Sequence, residues 1–225
     1  MKILVTSGAT REPIDAVRFL SNFSTGSTGA ALADAFLATG HSIHYLHGMG
    51  ALLPAGPART EQFSSYADLD RRLRRRLSSG GFDAVVHAAA VSDYSLGAVT
   101  PGVGRLGRSD RKLDSSREEL TLVLRRNRKL LDRLCGYAGN RGAYIVGFKL
   151  TCTRSARARS EAAAKLSLGR GVRLVVHNDM LDIKAGRRVF TLYAAGRERG
   201  RCVSAAELAG KITENCKEAL HAAGS

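Results

Sequence analysis

The chain has 225 residues, 44% of them hydrophobic, and carries 35 Lys and Arg against 20 Asp and Glu, a formal net charge of +15. This length suits one α/β domain over residues 1–225, with a real core, and is short for two. The opening Met1-Lys2-Ile3-Leu4-Val5 is shorter than the apolar part of a signal peptide, and polar residues interrupt every longer apolar run. A cytoplasmic protein without a membrane span is therefore expected.

Taken in order, short apolar strands alternate with helical stretches. Ile3 to Thr6 reads as a strand running into the Gly- and hydroxyl-rich stretch Thr6-Ser7-Gly8-Ala9-Thr10. Gly29 to Thr39 reads as a helix with Leu32, Ala33 and Phe36 inward, ending at Gly40. Ile43 to Leu46 is a second strand, and Met49 to Arg59, with Gly50, Pro54, Gly56 and Pro57, is a loop. A helix over Tyr66 to Leu77 precedes the strand Ala84 to Ala88. Gly97 to Ser116 carries four further Gly and Pro residues, many charges and little periodicity, and reads as a long flap. Asn127 is placed to cap a helix holding Leu130, Leu131 and Leu134. Tyr144 to Phe148 and Leu174 to His177 are buried strands on either side of a helix around Arg154 to Leu168. Ser204 and Glu207 form a capping box for a last helix striped by Leu208, Ile212, Cys216 and Leu220.

This alternation predicts a Rossmann-like, doubly wound, mostly parallel sheet with helices on both faces. Ligands of such sheets bind beyond the carboxyl ends of the strands. The Gly8 loop, the segment after Ala88 and the segment after Phe148 should therefore meet at one crevice. A strand, a Gly-rich loop and a helix start together suit a phosphate chain, because backbone N–H groups and the helix N-terminus meet its oxygens. The spacing is neither a P-loop nor a clean dinucleotide turn.

Cys135, Cys152, Cys202 and Cys216 lack C-x-x-C spacing, which argues against a zinc ribbon or a disulfide framework and predicts single buried or half-buried thiols. His41, His44 and His47 flank a strand that sends residues three apart to opposite faces, so they read as surface and edge residues. The net charge suits nucleotides, phosphorylated metabolites or nucleic acid. The run Arg71-Arg72-Leu73-Arg74-Arg75-Arg76 reads as a solvated helix face. With aromatics at 6% and no Trp, base-stacking platforms are poorly supplied.

Four local patterns occur in sequence. They are Arg11-Glu12-Pro13-Ile14-Asp15-x-Val17-Arg18-Phe19-x-Ser21-Asn22-x-Ser24-Thr25-Gly26; Ala88-Ala89-Ala90-Val91-Ser92-Asp93-Tyr94; Lys112-Leu113-Asp114-Ser115-Ser116 with Glu119-Leu120-x-Leu122; and Gly147-Phe148-Lys149-Leu150 with Lys165 and Asn178-Asp179. As an ordered set they resemble the phosphopantothenoylcysteine synthetase (phosphopantothenate–cysteine ligase) family of coenzyme A biosynthesis, in its short, free-standing bacterial form. The resemblance runs from Lys2 to about Asp182.

The resemblance implies activation of the 4′-phosphopantothenate carboxylate by CTP, or ATP, with Mg²⁺, followed by attack of the L-cysteine amine. It also implies a homodimer with a shared site, which the flap helps to make. Ser24, Thr25 and Gly26, near Gly8, fall on the family's triphosphate loop, and Asn22 on the asparagine that contacts the acyl-nucleotide. Asp93 matches the family's Mg²⁺ and nucleotide carboxylate, and Lys112 the flap lysine that reaches the triphosphate. Ala88, Ala89 and Ala90 match the segment near the base. Phe148 matches a wall of the nucleotide site, though it could equally be core. Arg128, Lys129, Leu130 and Leu131 fall at a helix start that meets the nucleotide, Lys165 and Arg170 on the base or ribose side, and Arg18 on a residue for the phosphate of phosphopantothenate.

The chain departs from the fused bacterial form at Ser27-Thr28, where that form has Lys-Met, and at Lys112-Leu113-Asp114-Ser115-Ser116, where one residue is inserted relative to the short form. Two other readings remain open at this level. An NAD(P)-dependent oxidoreductase would want an acidic residue where His47 and Gly48 stand, and a nucleic-acid-binding protein would use the charge alone.

Overall fold

The computed structural model describes all residues except 80, 101–111, 115, 117, 138–141, 170 and 225. Arg170, Ser115 and most of the expected flap therefore lie outside the described residues. The chain opens with β1 (Lys2–Ser7), then the short strands β2 (Arg11–Pro13) and β3 (Phe19–Ser21), α1 (Ser27–Ala38), β4 (Ser42–Gly48), β5 (Arg59–Phe63) and α2 (Tyr66–Ser78). After β6 (Ala84–His87) come β7 (Tyr94–Thr100), β8 (Thr121–Arg126), α3 (Leu131–Leu134), β9 (Tyr144–Thr151) and α4 (Ala156–Ser167). The last elements are β10 (Val172–Asp179), α5 (Met180–Lys184), β11 (Phe190–Ala194), β12 (Arg197–Cys202) and α6 (Ala205–Gly224).

Eight strands form one sheet in the order β12-β11-β10-β9-β6-β1-β4-β5. The six from β10 to β5 run parallel, and β11 and β12 are antiparallel additions. Alternate residues of β1 enter two cores. Ile3 and Val5 pack with Leu32 and Phe36 of α1 and Leu208 and Ile212 of α6. Leu4 packs with Leu69 and Leu73 of α2, Leu134 of α3 and Ala163 of α4. A sheet covered on both faces needs near-continuous apolar strands, which is why β1 and β6 read as such.

The parallel strands follow the doubly wound order, with a change of winding direction between β1 and β6. Two antiparallel ribbons, β2–β3 and β7–β8, stand apart from the main sheet.

The helix ends follow their local chemistry. Gly26, at φ +76°, opens α1, and Gly40, at φ +79°, follows its end. Ser155 Oγ accepts the Ala158 N–H ahead of α4. Ser204 Oγ accepts the Glu207 N–H at 3.1 Å, while the Glu207 carboxylate accepts that of Val203 at 2.9 Å.

Several expectations are corrected. Asn127 does not cap α3, whose N-cap is Leu130 without a side-chain bond. Instead its Nδ2 donates to Ser95 Oγ and to the Ser92 carbonyl, because β8 runs to Arg126 and delivers Asn127 beside β7. Leu220 is 37% exposed, since the last turns of α6 pass beyond the core that buries Leu208, Ile212 and Cys216. His44 is buried, its Nε2 3.4 Å from Glu61 on the next strand. Cys152 is exposed rather than half-buried, while Cys202 and Cys216 are buried. The start of the expected flap, Gly97 to Thr100, is strand in β7. The arginine face of α2 is only partly solvated: Arg72 and Arg76 close on Glu61 at 2.5 and 2.6 Å, and Arg75 also meets that carboxylate. Burial raises the Glu61 pKa, but hydrogen bonds from Arg76 and Arg72 outweigh it and hold it at about 2.

Candidate nucleotide site

Beyond the carboxyl ends of β1, β6, β9 and β10 lies a cleft of about 1550 Å³. Its centre is the switch between β1 and β6, where a bridge joins Ala9 to Ala90. Close approach of backbone builds this corner. A Cβ on Gly48 would lie 2.4 Å from the Ala9 carbonyl oxygen, and one on Gly29 2.3 Å from Ser7 Oγ. Ser7 Oγ also donates to the Gly26 carbonyl at 2.9 Å, which pins the loop before α1 to the end of β1. The first N–H groups of a helix have no acceptor within it, and the residues that open α1, from Ser24 to Gly29, line the cleft. Thr25 Oγ1 accepts the Ser27 N–H at 3.4 Å.

The structure gathers most of the residues singled out from the sequence. Asn22, Ser24, Thr25, Gly26, Ala88, Ala89, Ala90, Asp93, Arg128, Leu130, Phe148 and Lys165 all line this one cleft. Asn22 Nδ2 donates to the Val91 carbonyl at 3.2 Å, so the asparagine bridges the two banks of the switch. Asp93 is exposed and pairs with Lys129.

Three others lie elsewhere. Gly8 is buried beneath the lining, at φ +77°, where a Cβ would strike that of Ala51 at 2.5 Å. Its requirement for glycine comes from the left-handed backbone together with packing against the β4 loop. Arg18 is held by Asp15, at 2.5 Å, and donates to the Leu113 carbonyl at 3.0 Å. Lys112, next to that anchored residue, is exposed and outside the lining.

Sequence reasoning passed over other lining groups. Arg11 lies over the Phe19 ring at 4.5 Å, and Phe23 is 98% exposed at the rim. Both phenylalanines sit inside a motif already noted, so their place in it was the available signal. Lys149 follows Phe148 and lines the cleft with it, while Lys129 and Leu131, within the helix start already singled out, line it beside Arg128 and Leu130. Arg188 offered no local signal. The cationic lining residues Arg11, Arg126, Arg128, Lys129, Lys149, Lys165 and Arg188 face only Asp93 and Asp132, which makes this a field for polyanions.

Two buried carboxylates hold the ribbons that wall the cleft. Glu12 accepts the Tyr66 N–H and the Ser95 hydroxyl, both at 2.7 Å. Asp15 accepts N–H bonds from Val17, Arg18 and Leu113 at 2.8 to 3.0 Å. The Arg18 guanidinium holds the Asp15 carboxyl far below the usual carboxylate range; burial opposes this, and the backbone donors add to it. Among the residues lining the cleft, His87 is buried, and burial lowers its pKa to about 4.

Among the described residues no three His, Cys, Asp or Glu side chains cluster as metal ligands. A single cleft carboxylate such as Asp93 does fit Mg²⁺, which keeps several waters and takes most of its other oxygens from phosphates.

Residues 1–219 match the family model of the DNA/pantothenate metabolism flavoprotein C-terminal domain. The chain belongs to that family. Among its relatives, the coenzyme A biosynthesis bifunctional protein CoaBC of Methanocaldococcus jannaschii is 26% identical over 219 residues, covering 96% of this chain and 50% of that protein. Human phosphopantothenate–cysteine ligase is 29% identical over 197 residues, 66% of this chain and 63% of that one. The chain thus spans half the length of the archaeal relative and less than two thirds of the human one. The crystal structure of the DNA/pantothenate metabolism flavoprotein from Streptococcus pneumoniae has the same fold, with a TM-score of 0.83 at 23% identity over 97% of this chain and 99% of that one. The α/β architecture inferred from sequence is the fold of the DNA/pantothenate metabolism flavoprotein family. Among the described residues no helix is long and apolar enough to cross a membrane.

Proposed function

We propose that this chain is a single-domain, cytoplasmic ligase that joins 4′-phosphopantothenate to L-cysteine through an acyl-nucleotide. The observation that carries this reading is one cationic cleft at the β1–β6 switch, which brings together Asn22, the Ser24–Gly26 loop, Ala88–Ala90, Asp93 and Phe148. The names of the CoaBC and human ligase relatives support it.

In the first step a carboxylate oxygen of phosphopantothenate attacks the α-phosphorus of the nucleoside triphosphate, CTP or ATP, and pyrophosphate leaves. In the second the cysteine amine attacks the acyl carbon, an amide forms, and the nucleoside monophosphate leaves with its electron pair. Ser24, Thr25 and the backbone from Gly26, beside Gly8, offer neutral donors to the triphosphate. Asn22 donates to the polarised acyl carbonyl without competing as a nucleophile. Asp93 is the residue to hold Mg²⁺, whose charge would neutralise phosphate oxygens, and Lys129 is the counter-ion it would exchange. Ala88, Ala89, Ala90 and Phe148 border the base, with Lys165 and Arg170 towards base or ribose and Arg128 and Leu130 at the nucleotide.

Lys112 and Arg18 are joined through Leu113, which Asp15 and Arg18 both bind. They are assigned to the pyrophosphate and the pantothenate phosphate respectively, in a homodimer whose site is shared between subunits. Ser27 and Thr28, at the opening of α1, bring hydroxyls rather than a cation, and Lys129 and Lys149 supply positive charge nearby.

Purified protein with Mg²⁺, phosphopantothenate and CTP or ATP should release pyrophosphate, and phosphopantothenoylcysteine should appear by mass spectrometry once cysteine is added. Asn22→Ala should accumulate the acyl-nucleotide. Folded wild-type protein that releases no pyrophosphate with either nucleotide overturns the assignment.

A further inference from the structure

His87 closes β6 and lines the cleft, yet it is only 7% exposed. Its Nδ1 lies 2.8 Å from Thr6 Oγ1, on the neighbouring strand. That hydroxyl accepts the Ala89 N–H at 3.2 Å, and among the described residues its own proton has no acceptor other than Nδ1. Nδ1 is therefore the acceptor, and the ring proton sits on Nε2. Among the described residues Nε2 has no hydrogen-bond partner. A buried donor left unmatched costs about 1–3 kcal/mol, so a group from the cleft is its natural acceptor.

The surroundings narrow what that acceptor is. A neutral imidazole offers one directed donor and no charge, which suits a neutral oxygen better than a phosphate. Phosphate is better served by the α1 N-terminus and the lysines at the rim. His87 pairs in register with Gly147 and is followed by Ala88, so it stands where the strands give way to Ala88–Ala90 and Phe148, the segments assigned to the base.

We infer that His87 reads the nucleotide base, donating its Nε2–H to the ring carbonyl of a 2-oxopyrimidine. This rests on the ligase reading above and gives it a residue for nucleotide choice. Adenine has no ring carbonyl, and its amino group sets a donor beside the ring-nitrogen acceptors of its hydrogen-bonding edges. A donor set for the position of the pyrimidine carbonyl therefore meets no matching oxygen in adenine. Burial keeps the ring neutral, so the donor stays in place throughout the neutral range.

The test compares kcat/KM for CTP and ATP in the full chain, as wild type, His87→Phe and His87→Gln. Phenylalanine fills the space without a donor, and glutamine restores one. For His87→Phe the value with CTP should fall about 10- to 100-fold, while that with ATP changes less than about 3-fold. His87→Gln should recover part of the loss. A second measurement needs neither a variant nor turnover: with ¹⁵N-labelled histidine, the His87 Nε2–H resonance of wild-type protein should shift on adding CTP and stay put on adding ATP. Parallel losses for both nucleotides, or a resonance that CTP leaves in place, overturn the inference. Wild-type protein that shows the CTP-specific shift but makes no product retains the base reader and refutes the ligase.

Discussion

The eight-stranded sheet and the two ribbons at its carboxyl edge are held by different forces. The sheet lies between two apolar layers, with Ile3, Leu4, Leu32, Phe36, Leu69 and Ile212 fully buried. The ribbons leave Val17, Phe19, Leu20, Val123 and Leu124 substantially exposed, at 38–60%. They are moored instead by Glu12 and Asp15, two carboxylates that gather donors from α2, β7 and the residues around Leu113. Apolar burial is cooperative over the whole layer, whereas a few polar moorings can open locally. The cleft takes its floor from the first region and part of its walls, including Phe19, Asn22 and Arg126, from the second. One bank of the site can thus move while the sheet stays folded.

The sharpest way to break this contrast is in the sheet. Phe36→Ala should cost about 3–5 kcal/mol of global stability, read as a lowered denaturant midpoint. A loss confined to the ribbons would contradict the division.

Acid should act next. The neutral His87 has a folded pKa of about 4 against an ordinary 6.5. Its stabilisation is complete above pH 6.5 and is lost as pH falls toward 4, roughly 3 kcal/mol in all. His87→Gln should flatten that limb of the stability–pH curve. Asp15, also depressed, keeps its contribution to lower pH, losing it only as pH falls through its folded value.

In the ribbons, Asp15→Ala should leave sheet amides such as Val86 protected while the Leu113 amide exchanges at least about 10-fold faster by hydrogen exchange. Equal acceleration in both would join the two regions into one unit. The smallest effect belongs to Arg75→Ala: the side chain is 61% exposed, and Glu61 keeps Arg72 and Arg76. Thermal unfolding should register about 0.5 kcal/mol or less.

The same contrast explains what the sequence disclosed. In the sheet and its helices, function follows periodicity: Leu208, Ile212 and Cys216 recur every four residues and all reach the core. Apolar runs mark β1, β6 and β9, and from their alternation with helices the crevice itself could be placed. The ribbons carry no such period. In β2 the buried residue is Glu12, held by partners 54 and 83 positions away, which no local window contains. His44 was misread for a similar reason, since Glu61 sits on another strand. The hairpin of β11 and β12 did leave a sign, the Ala195-Gly196 pair, both at positive φ, between two short strands. At the site, the meeting of the β1, β6 and β9 loops was legible because topology brings strand ends together, and the particular residues on them came from the ordered motifs that carry the family resemblance. Arg188 was not, because it reaches the cleft from beyond α5.

The two outermost strands have a consequence for how this protein behaves in a crowded solution. One border of the sheet is β5, with Arg59 and Glu61, and the other is β12, with Arg197, Glu198, Arg199 and Arg201 and a break in register where it pairs with β11. Charged, irregular borders discourage a second chain from adding its own backbone there and growing into fibres.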